Sequence, residues 1–470
     1  MSEKTKLLKN TTIYAIGDIV PRALSFITFP ILTSYLTPAD YGIVNYVNTI
    51  INFLFLLGFL CLNTYYLVYY YKANNEEERR NLLGNLSIFV ISINLILSIL
   101  ICIFGYIYPN IFSKNIDFYP YIIVGIITNF FNLFSVLPSA LYRVKENPLP
   151  LTILNLVKGI LAATINIVLV VFFHFTALGL LYSAMCISII FGLIFIYITL
   201  RNMNWYFNWQ KIKIALRFSL PLLPGVIAYY LLAMSDRFFI ERYLGLERLG
   251  VYSTAMTLSL ILNIISNGAY KAFEPYFFKI YGSLNFKKKF YRVRDYFLFA
   301  ILISALGISL YAKEFFIFFA TENYKDVFFY VPLTLFPLIL SSVSLLYSTI
   351  VTAKGKTHIN SLATMIGGFA SVIQNLVLIP YLGLIGACAS SFFAFLVILS
   401  ISIYYSNLHN KLLQVVIPIA LVAIVILFSV YMLKWSECIY INIIIKSLIY
   451  LFTSIGLYKY LNLDFLRKRI

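Results

Sequence analysis

The chain has 470 residues and a formal net charge of +18, is 61% hydrophobic and only 11% charged, and has a mean hydropathy of +0.89. Soluble domains carry about 25% charged residues, so this composition excludes a soluble enzyme and makes the chain a polytopic membrane protein. The basic residues scatter through many short loops and form no separate basic domain, which excludes nucleic acid as the partner behind the pI of 9.4.

Pro, Gly and charge clusters divide the sequence into about fourteen apolar spans, each near the ~20 residues that cross a ~30 Å hydrocarbon core. Runs of this length predict helices, since β-barrel strands read as ~10-residue alternating segments. The expected fold class is therefore all-α. Lys4, Lys6 and Lys9 give a charged start, but the span over 11 to 36 carries Asp18 and Arg22 and no small-residue cleavage site, which predicts a retained first helix. Arg22 lies about eleven residues into that span, roughly 16 Å deep at the helical rise per residue. Asp18 precedes it by one turn, so the two share a face and can pair. They read either as a neutralised structural pair or as an anion-binding arginine with an aspartate that positions it or carries a proton.

Polar stripes follow along the chain. Asn45, Asn48 and Asn52 share one face of the second span, over 42 to 70, and Asn129, Asn132 and Ser135 share one face of the fourth, over 120 to 141. Amides in lipid need partners in neighbouring helices or a ligand, and Asn, which both donates and accepts, suits sugar hydroxyls. Tyr65, Tyr66, Tyr69, Tyr70 and Tyr71 fit an interfacial aromatic belt. Lys158, about nine residues into the fifth span, either snorkels or, with Gly159 and Asn166, lines a cavity.

The seventh span, over 217 to 243, holds Pro221, Pro224 and Gly225 near one end and Ser235-Asp236-Arg237 further on, with Glu241 one turn from Arg237 as its expected partner. Prolines permit bending, because each removes a ladder hydrogen bond. Bend and charge together predict a moving, substrate-facing helix, with an ion pair that fixes helix packing as the alternative. Lys271 and Glu274 close the eighth span, three residues apart and able to pair, as gate or interfacial residues. Lys446 in the last span is expected to snorkel.

With a cytoplasmic N-terminus, the inside loops collect most of the Lys and Arg, including the cluster over 287 to 294, while the outside loops hold only Lys114, Arg248, Lys313, Lys325 and Lys434. The positive-inside rule then places both termini in the cytoplasm. Cys61, Cys102, Cys186, Cys388 and Cys438 show no CxxC pair, and His174, His358 and His409 are far apart, so neither a disulfide framework nor a metal site is expected. Loops no longer than about 20 residues leave no room for a soluble catalytic domain, and no P-loop, GxSxG or HExxH motif occurs. The chain is read as no enzyme and as needing no cofactor.

Two phrases recur about 200 residues apart. Tyr35-Leu36 with Gly42 returns as Tyr243-Leu244 with Gly250, and Asn166-Ile167-Val168-Leu169 with Gly179 returns as Asn375-Leu376-Val377-Leu378 with Gly386. Their parallel order divides the chain into six-helix bundles over 1 to 210 and 211 to 410, followed by two further helices over 411 to 470. Secondary transporters are commonly built from such repeats.

The stretch Tyr35-Leu36-Thr37-Pro38-Ala39-Asp40-Tyr41-Gly42, the phrase Leu220-Pro221-Leu222-Leu223-Pro224 followed by Ser235-Asp236-Arg237-Phe238-Phe239-Ile240, and the later Gly245, Gly250-Val251-Tyr252-Ser253, Asn375 to Pro380, Gly383 and Gly386-Ala387 span nearly the whole chain. In these it resembles the polysaccharide transporters of the multidrug/oligosaccharidyl-lipid/polysaccharide exporter superfamily, O-antigen repeat-unit flippases in particular. The resemblance implies two six-helix bundles in a V around a central cavity, alternating access, and transfer of undecaprenyl-diphosphate-linked oligosaccharide from the cytoplasmic to the periplasmic leaflet of the inner membrane. A polysaccharide polymerase and a chain-length regulator would be its partners. The match carries over Asp236-Arg237, whereas Arg22 and Lys158 as diphosphate-binding cations follow from their depth. The alternatives are a cation-coupled drug exporter of the same superfamily, a lipid II flippase and, from a different class, a membrane polysaccharide polymerase, which would need a sizeable periplasmic loop.

Overall fold

The computed structural model describes residues 13, 17, 20, 21, 23–108, 112–408, 411–433, 439–461 and 463. These residues form helices and turns, with no strand among them. Twelve helices among them are long and apolar enough to cross a membrane. The stretch Trp209–Ile280 counts once in that number, although Gly245, at φ 84°, interrupts it between the seventh and eighth spans of the sequence. The first span is represented by the shorter apolar helix Ala23–Thr33. The protein is thus a multi-pass, all-α membrane protein.

The chain divides into two compact units, Met1–Ile227 with Gly245–Glu247, and Ala228–Leu244 with Arg248–Ile470. The first contains α1 (Ala23–Thr33), α2 (Pro38–Phe59), α3 (Leu62–Tyr70), α4 (Glu76–Ile107), α5 (Ile123–Leu133), α6 (Val136–Val144), α7 (Pro148–Ile167), α8 (Ala177–Asn202) and α9 (Trp209–Ser219). The phrase that opens the repeat is a helix start. Thr37 caps α2 and accepts from the Asp40 amide, the Asp40 carboxylate accepts from the Thr37 amide at 2.9 Å, and Pro38 fills the first turn, where no amide donor is needed. Asp40 Oδ1 also accepts from the Ala177 amide at 3.2 Å, which ties the start of α8 to the start of α2.

Between α2 and α3, Leu60 and Cys61 adopt left-handed backbone conformations and break the second span into two helices. Gly58 makes that break compact. Asn94 on α4 donates to the Gly58 carbonyl at 3.0 Å, and a Cβ on Gly58 would sit 1.9 Å from Asn94 Oδ1. Charge-rich 209 to 219 is not a loop but the amphipathic helix α9. Ile212 and Ala215 are fully buried against α3 and α4, while Lys211, Lys213 and Arg217 are exposed, the pattern of an interfacial helix. Asparagines dock its entry, since Asn85 Oδ1 accepts from the Asn208 amide at 2.9 Å and Asn204 donates to Asn81 at 2.9 Å.

The second unit takes most of α10 (Leu223–Ile280), then α11 (Phe286–Phe319), α12 (Val331–Ala353), α13 (Thr357–Leu382), α14 (Leu384–Ser406), α15 (Leu413–Leu427) and α16 (Ile439–Tyr460). Its axis is α12, 72% buried across its apolar window against 17% for the last helix. Without water to expel, helices in lipid associate through close packing of small residues. Gly368 on α13 illustrates this, because a Cβ there would lie 2.3 Å from the Ala228 carbonyl oxygen.

Lys446 does not snorkel. It is 2% exposed, and its Nζ sits 2.6 and 2.7 Å from the two carboxylate oxygens of Glu314 on α11. The neighbouring Ser447 and Tyr311 hydroxyls share a 2.8 Å hydrogen bond. A counter-charge on the adjacent helix outcompetes the route to the surface, so α16 is latched to α11. Removing one partner leaves the other charged and buried, at a cost of about 3–5 kcal/mol. Lys446→Ala is expected to lower the thermal unfolding midpoint in detergent clearly, whereas the paired substitution Lys446→Met with Glu314→Leu should restore most of it. Gly368→Leu is expected to destabilise by about 1–3 kcal/mol through overpacking, read in the same melt.

Candidate polar sites

Each unit is considered by itself. In the first, α7 presents Asn155, Lys158, Ala162 and Asn166, three or four residues apart, on one face, with Gly159 beside Lys158. That face lines a groove of about 350 Å³ with Ser25 and Thr28 of α1 opposite. Gly159 allows the close approach, since a Cβ there would lie 2.8 Å from Pro21 Cβ. Ser25 and Thr28 return their hydroxyls to the carbonyls of Pro21 and Ser25, so the hydroxyl donors are spent within the helix and the oxygens stay available as acceptors.

Lys158 is half-buried in this groove, and its Nζ reaches Asn132 Oδ1 at 3.5 Å, the outer limit of a hydrogen bond. No carboxylate among the described residues forms an ion pair with it. Asn129, one turn before Asn132 on α5, is 4% exposed, and its Oδ1 has no partner among the described residues. The fourth and fifth spans therefore bring a cation and amides together, the combination that binds a phosphoryl oxyanion beside hydroxyls. The second-span stripe lies apart from this groove: Asn45 donates to the Tyr41 carbonyl at 2.9 Å, and Asn48 and Asn52 are exposed. Asp18 and Arg22 lie outside the described residues.

In the second unit, Asp236 on α10 is 4% exposed and held from three sides. Tyr252 donates its hydroxyl to Oδ2, the Arg237 amide donates to Oδ1 at 2.8 Å, and the Arg237 guanidinium lies 3.8 Å away. Arg237 pairs with this neighbour rather than with Glu241, and its Nη1 also donates to the Ala233 carbonyl at 3.0 Å. One residue earlier, Ser235 Oγ accepts from the fully buried Asn375 of α13 at 3.0 Å. The phrases carrying Ser235-Asp236-Arg237 and Asn375 thus meet in one buried polar cluster. Tyr252 is the partner that spacing could not reveal, because it reaches Asp236 across the break at Gly245. Lys271 is exposed, and Glu274 accepts from Tyr270 at 3.0 Å rather than from Lys271. Tyr270 shares a further 2.7 Å hydrogen bond with Thr349 of α12.

Among solved structures, the chain is similar to the lipid II flippase MurJ in an inward closed conformation, with TM-score 0.75 and 14% identity over 95% of this chain and 99% of that one. It is also similar to a multidrug resistance MATE family transporter of the MOP superfamily in two states. The inward-facing form gives TM-score 0.64 and 15% identity over 84% of this chain and 99% of that one. The outward-facing form gives 0.55 and 16% over 87% and 96%. These likenesses establish the transporter fold. No curated protein matches in sequence. The family model described as polysaccharide biosynthesis protein matches residues 7–281, more than half of the chain, and the protein belongs to that family.

Proposed function

We propose that the protein is a flippase that carries undecaprenyl-diphosphate-linked oligosaccharide repeat units from the cytoplasmic to the outer leaflet by alternating access, for O-antigen or another surface polysaccharide. The observation that carries this reading is the Lys158 groove. A lysine with no ion-pair partner among the described residues, near the amides of Asn132, Asn155 and Asn166 in otherwise apolar helices, suits a diphosphate followed by sugars. Family membership and the transporter fold support transport over catalysis. Arg22 and Arg237 are the further cations assigned to the diphosphate, and Asn45, Asn48, Asn52 and Asn129 the further amides assigned to the glycan. Asp236, gripped by Tyr252 and Arg237, is a proposed proton-coupling carboxylate, Asp18 is the other residue assigned that role, and Lys271 and Glu274 are the proposed gate. The protein would sit in the inner membrane with both termini cytoplasmic, supplying a polymerase and its chain-length regulator.

Deletion of the gene in its host is expected to abolish surface polymer and to accumulate complete single repeat units on cytoplasm-facing lipid. Single units exposed on the outer leaflet would instead indicate a polymerase, and unchanged polymer with altered drug sensitivity an exporter. Lys158→Ala should lower surface polymer about tenfold or more, the loss of roughly 1.4 kcal/mol or more of charge-assisted binding, at unchanged protein level. Lys158→Arg should retain most of it. Asp236→Asn removes the counter-charge of the mostly buried Arg237 and should lower the melting midpoint in detergent, while the protein that remains folded should lose the response of transport to collapse of the proton gradient; an undiminished response would remove Asp236 from coupling.

A further inference from the structure

A second cationic site lies in the second unit, at the end shared by the start of α11, the start of α15 and the end of α16. A pocket of about 650 Å³ opens there; among the described residues its wall carries the ammonium groups of Lys287, Lys288 and Lys411, an already engaged Arg292 and one carboxylate, Asp295. That carboxylate is already engaged, since Asp295 Oδ1 accepts from Arg294 Nε at 2.9 Å and from Nη2 at 2.6 Å. Among the described residues the wall therefore carries an excess of positive charge. The same region holds Lys354 at the end of α12, whose affinity for its proton is lowered by partial burial and by the nearby Lys356 and Lys287 ammonium groups.

The pocket is built rather than assembled from loose surface side chains. Arg294, fully buried, donates to the Lys411 carbonyl at 3.3 Å and to Gln414 Oε1 at 3.0 Å. Tyr291 donates to the Leu408 carbonyl and Tyr296 to the Leu463 carbonyl, both at 3.3 Å. These bonds fasten three segments far apart in sequence into one frame. The Tyr291 ring sits beneath two cations, with the Arg294 guanidinium 4.7 Å and the Lys411 ammonium 5.3 Å from its centroid. Gln414 and Tyr296 add polar groups inside, and Tyr460, Leu461 and Leu463 make the remaining wall apolar.

We propose that this pocket binds the phosphate of an anionic phospholipid headgroup, at a site that shares no residue with the Lys158 groove. The common chemistry is a phosphate held by several ammonium and guanidinium groups, which a free phosphate would also satisfy. The lipid is favoured by the apolar Tyr460, Leu461 and Leu463 wall beside the cations and by the position at the ends of membrane-crossing helices, where basic pockets between helices meet headgroups. Occupancy would bridge α11, α15 and α16, the helices that the Glu314–Lys446 pair latches elsewhere along α11 and α16.

The test uses the purified full chain in detergent, offered phosphatidylglycerol and phosphatidylcholine in equal amounts, with bound lipid counted by native mass spectrometry. The wild type is expected to retain phosphatidylglycerol selectively. The combined substitution Lys287→Gln, Lys288→Gln and Lys411→Gln should lose that retention about tenfold or more, and the corresponding Lys→Arg set should keep it. Lys287→Gln with Lys288→Gln, both on the exposed first turn of α11, provides a milder variant with a partial loss should the triple variant fold poorly. Millimolar inorganic phosphate should not displace the lipid. Equal retention of the two lipids, unchanged binding in the glutamine variants, or displacement of phosphatidylglycerol by inorganic phosphate would each overturn the proposal.

Discussion

A charge placed in hydrocarbon costs several kcal/mol unless a partner or water compensates it, and much of this molecule is arranged around that penalty. Lys446 meets it with Glu314 and Arg237 with Asp236. Polar side chains follow the same logic. Many serines and threonines return their hydroxyl to a carbonyl three or four residues back, as Ser25, Thr28, Thr49 and Ser342 do. Unlike Lys446 and Arg237, Lys158 has no ion pair among the described residues, and its hydrogen-bond contact among them is one amide oxygen at 3.5 Å. A cation left so weakly paired beside a groove is the arrangement expected of a binding group whose partner arrives with the cargo.

The recurring phrases acquire distinct physical meanings in their two copies. Around Thr37-Pro38-Ala39-Asp40 the phrase starts a helix, with a capping box, a proline in the first turn and a carboxylate that also fastens α8. Around Tyr243-Leu244-Gly245 it also separates two helices, but there the break is made by Gly245, since only glycine takes the φ of 84° without strain. The Asn166 and Asn375 copies diverge likewise. Asn166 lines the open groove, whereas Asn375 is fully buried and bonded to Ser235. One unit leaves the amide on a groove at the position where the other uses it to join helices.

Much of the architecture was legible because its signals are local. Long apolar runs gave the helices, and the Gly245 break agrees with a division between the seventh and eighth spans. Lys158, Gly159 and Asn166 read as one face because seven residues make about two helical turns, and the structure places all three on one groove. Non-local partners were not legible. Glu314 lies on a helix far from Lys446 in sequence, so a lysine near a span end read as a snorkeller. Tyr252 reaches Asp236 across a helix break, and Asp236, adjacent in sequence, displaced Glu241 as the partner of Arg237. The α9 helix was hidden because its charges suggested a loop, although Ile212, Ala215 and Leu216 already marked an apolar stripe at helical spacing.

The central claim is that the chain itself moves a lipid-linked oligosaccharide across a bilayer. The most direct measurement reconstitutes the purified protein in liposomes that contain a fluorescent undecaprenyl-diphosphate oligosaccharide and follows its accessibility to a membrane-impermeant quencher. Protein-containing vesicles should equilibrate the lipid between leaflets faster than empty ones, and Lys158→Ala vesicles should approach the empty rate. Equal rates for wild-type and empty vesicles, under an imposed ion gradient as well as without one, would contradict the account.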